Sequence, residues 1–111
     1  YVQGVNLGSM VISSGQLPIN PETKQMPEDV AEQALQSLNN ALAIIEEAGL
    51  SAKNIVKTTV FVKDLNDFSV VNKVYGEFFE RHNAPFPARS CVEVARLPMD
   101  AKVEIEVIAT K

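Results

Sequence analysis

The sequence has one cysteine, one histidine and no tryptophan among its 111 residues. A single cysteine excludes an internal disulfide, which fits a reducing compartment, so we expect a cytoplasmic protein. One histidine and one cysteine are too few for an ordinary zinc site, and we therefore predict no metal. No GxGxxG or Walker A pattern occurs, so the sequence gives no support for a nucleotide cofactor.

Long apolar runs and clusters of basic residues are also missing. No stretch approaches the roughly 20 apolar residues that a membrane-spanning helix needs. The ten basic residues are scattered and the formal net charge is −4, so nucleic acid is a poor default partner. The length and the 46% hydrophobic content predict one globular domain over residues 1–111. The chain begins at Tyr1 without methionine, and we expect a few residues to precede it.

Strand-like and amphipathic segments alternate along the chain. One helix is predicted to begin at Pro27 and end at Gly49, and a second runs from the Asp64–Asp67 region to about His82. The order β-β-α-β-α-β-β predicts an α+β fold with both helices on one face of a sheet. The other sheet face would be wet or covered by another subunit. The five predicted strands are residues 1–7, 10–14, 55–62, 88–95 and 102–109, and the last two are expected to form a hairpin that closes near Pro98.

The strand over residues 88–95 has unusual side chains for a solvent-facing strand. Arg89, Cys91 and Glu93 alternate on one side, next to a Pro-Phe-Pro corner, which indicates a partly buried site. An arginine offers a planar fork of donors that matches a carboxylate, so Arg89 is a candidate anchor for an acid substrate. The alternative is a structural ion pair with a strand neighbour.

Glu104 and Glu106 share one face of the last predicted strand. Either carboxylate could simply face solvent, or a glutamate in a cleft could orient or deprotonate a water molecule. Ser14 and Gly15 end an earlier strand, where a hydroxyl and backbone N–H groups could hold a ligand oxygen. The alternative there is a plain turn.

Cys91 lacks an evident base partner. The only histidine, His82, is predicted at a helix end, as a surface or capping residue. We therefore interpret Cys91 as a packing or site-lining residue rather than a nucleophile. Tyr1, Asn72 and Tyr75 are further polar groups near apolar faces, and a partly buried Asn72 would need a hydrogen-bond partner.

Three segments together resemble the RidA family, also called YjgF, the enamine/imine deaminases. The segments are residues 14–18 (SGQLP), 56–65 (VKTTVFVKDL) and 87–98 (PARSCVEVARLP), and the resemblance covers nearly the whole chain. It implies a fold like the bacillus type of chorismate mutase, assembled as a homotrimer with a ligand cleft at each subunit interface. It also implies hydrolysis of 2-aminoacrylate, 2-iminopropionate and related compounds to a 2-keto acid and ammonia, without a cofactor.

The resemblance also assigns site residues. The carboxylate-binding arginine of the family falls on Arg89, and its water-positioning glutamate falls on Glu104 rather than Glu106. The remaining family positions, a cysteine, a serine, a glycine, an aromatic lid and an asparagine, fall on Cys91, Ser14, Gly15, Tyr1 and Asn72.

The sequence departs from the family at two loop positions. Lys24 stands where a turn glycine is common, and Met99 stands where a lysine is common. Both lie away from the matched site, so they put loop geometry in question rather than chemistry.

Two other functions remain open at this point. The same cleft could bind 2-keto acids without turnover, as a sensor or interaction module. RNA cleavage or translation inhibition, attributed to some relatives of the family, is disfavoured by the acidic balance of the chain.

Overall fold

The computed structural model describes residues Tyr1–Lys111 as five strands and two helices, joined in part by short 3₁₀ turns. The helices are α1 (Val30–Glu47) and α2 (Phe68–Arg81). Neither of them is long and apolar enough to cross a membrane. The strands are β1 (Gly4–Asn6), β2 (Met10–Ser13), β3 (Ile55–Val62), β4 (Ala88–Glu93) and β5 (Val103–Thr110).

The five strands form one mixed sheet in the order β1-β2-β5-β3-β4. β3 and β4 are parallel, and every other neighbouring pair is antiparallel. Strict alternation along β5 buries Val103, Ile105, Val107 and Ala109 against the helices and leaves the residues between them half-buried on the other face. The helices contact each other above this buried face, so the predicted α+β fold, with both helices on one side, is confirmed.

The predicted hairpin between the last two strands is wrong. β5 does not pair with β4 but lies between β2 and β3, and β4 forms the edge of the sheet beside β3. In the row that contains Glu104, Phe61 of β3 separates it from Val92 of β4. The predicted hairpin would place Glu104 opposite about residues 92–94, but a whole strand stands between them, because β4 follows a helical crossover and therefore adds in parallel to β3.

The element ends differ by a few residues from those predicted. α1 begins at Val30 rather than Pro27, because the Asp29 side chain accepts a hydrogen bond from the Glu32 N–H at 3.1 Å and acts as the N-cap. The predicted end of this helix is close, since Gly49 has a φ of 85° just beyond it. The first and fourth strands are shorter than predicted, at 3 and 6 residues.

The two loop positions at which the sequence departs from the family both adopt left-handed backbone conformations. Lys24 has a φ of 63° and Met99 a φ of 58°. A glycine would adopt these angles freely, whereas a side chain makes them costly. The loops thus keep this backbone geometry at some cost in conformational energy.

Candidate active site

Arg89 projects from the edge strand β4 toward α2. It pairs with Thr58, which is fully buried under the helices, so the two side chains share the helix-covered face. The Arg89 Nη1 donates to Asn72 Oδ1 at 2.7 Å. The guanidinium carbon also lies 5.5 Å from the centre of the Phe68 ring and 4.8 Å from the centre of the Tyr75 ring. Two cation–π contacts and one hydrogen bond therefore hold the guanidinium in place.

The guanidinium has no carboxylate partner within the chain. The only ion pair is Arg96–Asp100, far along the next loop, so the structural ion pair considered for Arg89 does not form. Arg89 is exposed rather than partly buried, and its other N–H groups are free to bind a ligand. A fixed, unpaired guanidinium is suited to bind a planar carboxylate.

The ring of Tyr75 lies beneath the Arg89 guanidinium and supports it. Its hydroxyl shares a buried hydrogen bond of 2.7 Å with the Thr58 hydroxyl, and the residue is 4% exposed. Burial raises the pKa of the Tyr75 phenol, although the hydrogen bond with Thr58 and the charge of Arg89 oppose this effect. The phenol therefore stays neutral at physiological pH and holds its ring in place under the guanidinium.

Cys91 lies two residues beyond Arg89 on the same face of β4, next to the hydrophobic core. Burial raises the pKa of its thiol, and the nearby Arg89 only partly offsets that rise. His82 follows the last residue of α2 as its C-cap, and its ring centre lies 4.6 Å from that of Phe78. A protonated thiol without a base partner is a poor nucleophile, in agreement with a packing or lining position for Cys91.

Glu104 lies on the other face of the sheet. Its neighbours Val103 and Ile105 are fully buried under the helices, so the Glu104 side chain projects from the helix-free face, as does Glu106. Burial, and then the negative charge of Glu106, raise the pKa of the Glu104 carboxyl. A carboxylate with a raised pKa is a stronger base than an ordinary surface glutamate.

Gly15 is in direct contact with Glu104. A Cβ atom placed on Gly15 would lie 2.7 Å from Glu104 Oε1, so only glycine leaves room for the carboxylate in this position. The backbone of Gln16 fixes this approach through two hydrogen bonds with Ile105, of 2.7 and 3.2 Å. The carboxylate is thus packed against the end of β2.

The backbone N–H of Gly15 is the free donor at this position. Ser14 donates its N–H to Gln3 and its hydroxyl to the Val2 carbonyl, at 2.8 and 2.6 Å, whereas the Gly15 N–H donates to no group of the chain. Tyr1 is fully exposed and lines a cavity of about 320 Å³ together with Gly15. Ser14 and Gly15 therefore lie near Glu104, and the free Gly15 N–H is available to a ligand oxygen. The cavity at Tyr1 is lined by Asn40 and Ala43 of α1 and not by Glu104, so the chain does not bring Tyr1 to the carboxylate.

The predicted site residues thus fall into two groups in one chain. The arginine half-site comprises Arg89, Asn72 and Cys91 on the helix-covered face at the β4 edge. The glutamate half-site comprises Glu104, Gly15 and Ser14 at the other face and the end of β2, and Tyr1 belongs to neither group. Because the two groups lie on opposite faces, Arg89 and Glu104 of one chain cannot contact the same small molecule.

The aromatic platform under Arg89, formed by the rings of Phe68 and Tyr75, was not predicted from the sequence. Phe68, Asn72 and Tyr75 are spaced by four and three residues along α2, which places them on one face of the helix. This spacing was the available signal. It does not show that the face meets Arg89, because that contact depends on β4 pairing with β3.

Comparison with known proteins gives consistent matches. A protein-family model described as Endoribonuclease L-PSP matches residues 1–111. The 2-iminobutanoate/2-iminopropanoate deaminase of Escherichia coli K12 is 67% identical over 111 residues, covering all of this chain and 87% of the relative. The crystal structure of the YjgF gene product from E. coli aligns with a TM-score of 0.99 at 66% identity. That of E. coli TdcF with bound serine aligns with the same score at 58% identity, and each alignment covers all of this chain and 87% of the other.

Replacing Glu104 with glutamine tests the environment of this carboxylate. The folded chain raises the pKa of Glu104 above its ordinary value of 4.5, so the folded state binds the proton more tightly than the unfolded state. The free energy of unfolding therefore falls as the pH rises from 4.5 through the raised pKa. We predict that Glu104→Gln unfolds at a higher urea concentration than the wild type at pH 7.

The same titration provides the control. The advantage of Glu104→Gln should disappear below pH 4.5, where the wild-type carboxyl is also neutral. Glu106→Gln should give a smaller gain, since it removes only the second contribution to the pKa. Equal stability of Glu104→Gln and the wild type at pH 7 would show that the carboxylate is not destabilised in the fold.

Proposed function

Because the chain belongs to the family described as Endoribonuclease L-PSP, which is the RidA/YjgF family, we propose that its single domain hydrolyses small 2-imino acids to 2-keto acids and ammonia. The observation that carries the proposal is the fixed, unpaired guanidinium of Arg89. The E. coli relative at 67% identity is named for 2-iminobutanoate and 2-iminopropanoate, which both carry a carboxylate next to the imine carbon. The serine bound by the related TdcF also carries a carboxylate.

The chemistry needs few groups. The carbon of an imine is already electrophilic once the imine nitrogen is protonated, so water can add to it without a covalent intermediate on the protein. Arg89 holds the substrate carboxylate and so fixes the imine carbon beside it. Glu104 accepts a proton from the attacking water, and the water oxygen forms a bond to the imine carbon.

The second half of the reaction expels ammonia. The tetrahedral adduct carries a hydroxyl and an amino group on one carbon. Glu104 returns its proton to the nitrogen, the C–N bond breaks to release ammonia, and the hydroxyl passes its proton back to the Glu104 carboxylate as the carbonyl forms. The free N–H of Gly15 is the donor that can stabilise the oxygen as charge develops on it. No cofactor is needed for these steps.

We propose that the active site forms between subunits of a homotrimer. The two half-sites lie on opposite sheet faces, so the arginine half-site of one subunit must meet the glutamate half-site of another. The helix-free face also exposes apolar side chains, with Ile12 at 37% and Val92 at 44% exposure. Association of these faces would bury that apolar surface.

The unpaired Cys91 fits action in the reducing cytoplasm.

The strongest prediction of this proposal concerns Arg89. Arg89→Ala should lower kcat/KM for 2-iminopropanoate by about 100-fold or more, because it removes a charge-assisted bidentate contact. Arg89→Lys should retain part of the activity, since lysine keeps the charge but not the fork. The measurement is ammonia release from freshly generated imino acid.

Two controls accompany this assay. Sedimentation should give the same trimer for the wild type and Arg89→Ala, because the substitution leaves the apolar side chains of the helix-free face unchanged. Wild-type protein that binds 2-keto acids but releases no ammonia would instead indicate a sensor, and full activity of Arg89→Ala would contradict the assigned anchor.

A second prediction concerns the contact between Gly15 and Glu104. Gly15→Ala should lower kcat by about 10-fold or more, because the new methyl group displaces the carboxylate. The fold should tolerate the change, since the displaced atoms are the end of a flexible side chain.

A double-mutant cycle separates this effect from a general disturbance. In the Glu104→Gln background, Gly15→Ala should cost little further activity, because the group that it displaces is already inactive. Fully additive losses would mean that Gly15 acts independently of Glu104.

A further inference from the structure

A groove of about 420 Å³ runs beside the guanidinium of Arg89. One wall is the exposed side of α2 and the other is the corner that leads into β4. The lining residues are Asn72, Tyr75, Gly76, Phe86, Pro87 and Arg89. The groove therefore begins at the proposed carboxylate anchor and continues past an aromatic and a proline side chain.

Gly76 creates the space on the helix side of this groove. It lies in the interior of α2, where a glycine destabilises a helix by about 1 kcal/mol relative to alanine. Gly76 does not have a positive φ, and a Cβ atom placed on it would meet no atom within 4 Å. Neither the backbone conformation nor the packing of this chain requires a glycine at position 76.

The opposite wall is apolar and exposed. Phe86 is 61% exposed, yet its ring keeps an edge contact with the buried Phe79 at 6.4 Å between ring centres. Pro87 follows it and fixes the backbone at the start of β4. A rigid apolar wall facing an empty position on a helix makes a slot for a hydrocarbon group.

The chemistry of the substrate supplies such a group. The imine carbon carries a carboxylate, a nitrogen and a side chain. When Arg89 holds the carboxylate, the first carbon of the substrate side chain is only two bonds from the carboxylate carbon. The side chain must therefore occupy space close to Arg89. The groove is the cavity that opens at that anchor within the same chain.

We propose that this groove receives the side chain of the imino acid and that Gly76 sets the largest side chain the enzyme accepts. The inference rests on the proposed function, because it assumes that Arg89 binds the substrate carboxylate. It adds a specificity-determining residue on α2 that does not take part in the reaction.

The test compares two substrates in two variants. The substrates are 2-iminopropanoate, with a methyl side chain, and 4-methyl-2-iminopentanoate, with an isobutyl side chain. In Gly76→Leu, kcat/KM for the larger substrate should fall by about 10-fold or more, while the smaller one changes by less than about 2-fold. Gly76→Ala should show the same trend more weakly while raising the urea midpoint of unfolding.

Glu77→Leu is the matched control. It places the same side chain at the next, exposed position of α2, which does not line the groove. This variant should keep the wild-type ratio of the two kcat/KM values. A similar change of the ratio in Glu77→Leu, or an unchanged ratio in Gly76→Leu, would overturn the proposal, as would a wild type that accepts only the methyl substrate.

Binding of the keto-acid products tests the groove independently of the proposed hydrolysis. If the wild type hydrolyses neither imine, the proposed function fails, and calorimetric titration with pyruvate and 4-methyl-2-oxopentanoate still tests the groove. Selective loss of 4-methyl-2-oxopentanoate binding in Gly76→Leu would support the groove without catalysis. Equal binding of both keto acids by the wild type and Gly76→Leu, or binding of neither by the wild type, would refute it.

Discussion

The parallel pairing of β3 with β4 determines where each candidate residue lies. It places Arg89 next to the buried Thr58 and therefore on the face that α2 covers. The antiparallel pairing of β3 with β5 places Glu104 next to Phe61 on the face without helices. Since side chains alternate along a strand, a shift of one residue in either register would exchange these positions. The division of the site into two halves is thus a consequence of strand pairing, and it makes a second subunit a chemical requirement of the proposed reaction.

Each half-site is organised by a contact from outside its own strand. The hydroxyl pair of Thr58 and Tyr75 is buried at 2.7 Å and fixes the ring on which the guanidinium rests. In the other half, Gly15 allows the end of β2 to approach the Glu104 carboxylate, and burial raises the pKa of that group. The anchor is therefore held by an aromatic platform, and the proposed base is tuned by close packing.

The sequence was sufficient to predict the elements but not their neighbours. Apolar spacing predicted both helices and the whole of β3 (Ile55–Val62), because local periodicity reports which side of an element is buried. It could not show that β5 lies between β2 and β3, since strand order depends on contacts between distant segments, and a short connection favoured a hairpin. The resemblance named Arg89 and Glu104, but their opposite faces followed only from register. Gly76 gave no signal, because an empty space is not visible in a sequence, and the Pro-Phe-Pro corner did not show that Phe86 faces α2 across a groove.

Complementation between inactive subunits tests the shared site most directly. Arg89→Ala and Glu104→Gln chains with different affinity tags would be co-expressed, and the assemblies that carry both tags would be purified. Each mixed trimer contains one interface with an intact Arg89 and an intact Glu104, so the account predicts about one third of wild-type activity, while both parent homotrimers stay inactive. Mixed trimers as inactive as the parents would show that one chain supplies both residues, and the account of an interfacial site would be wrong.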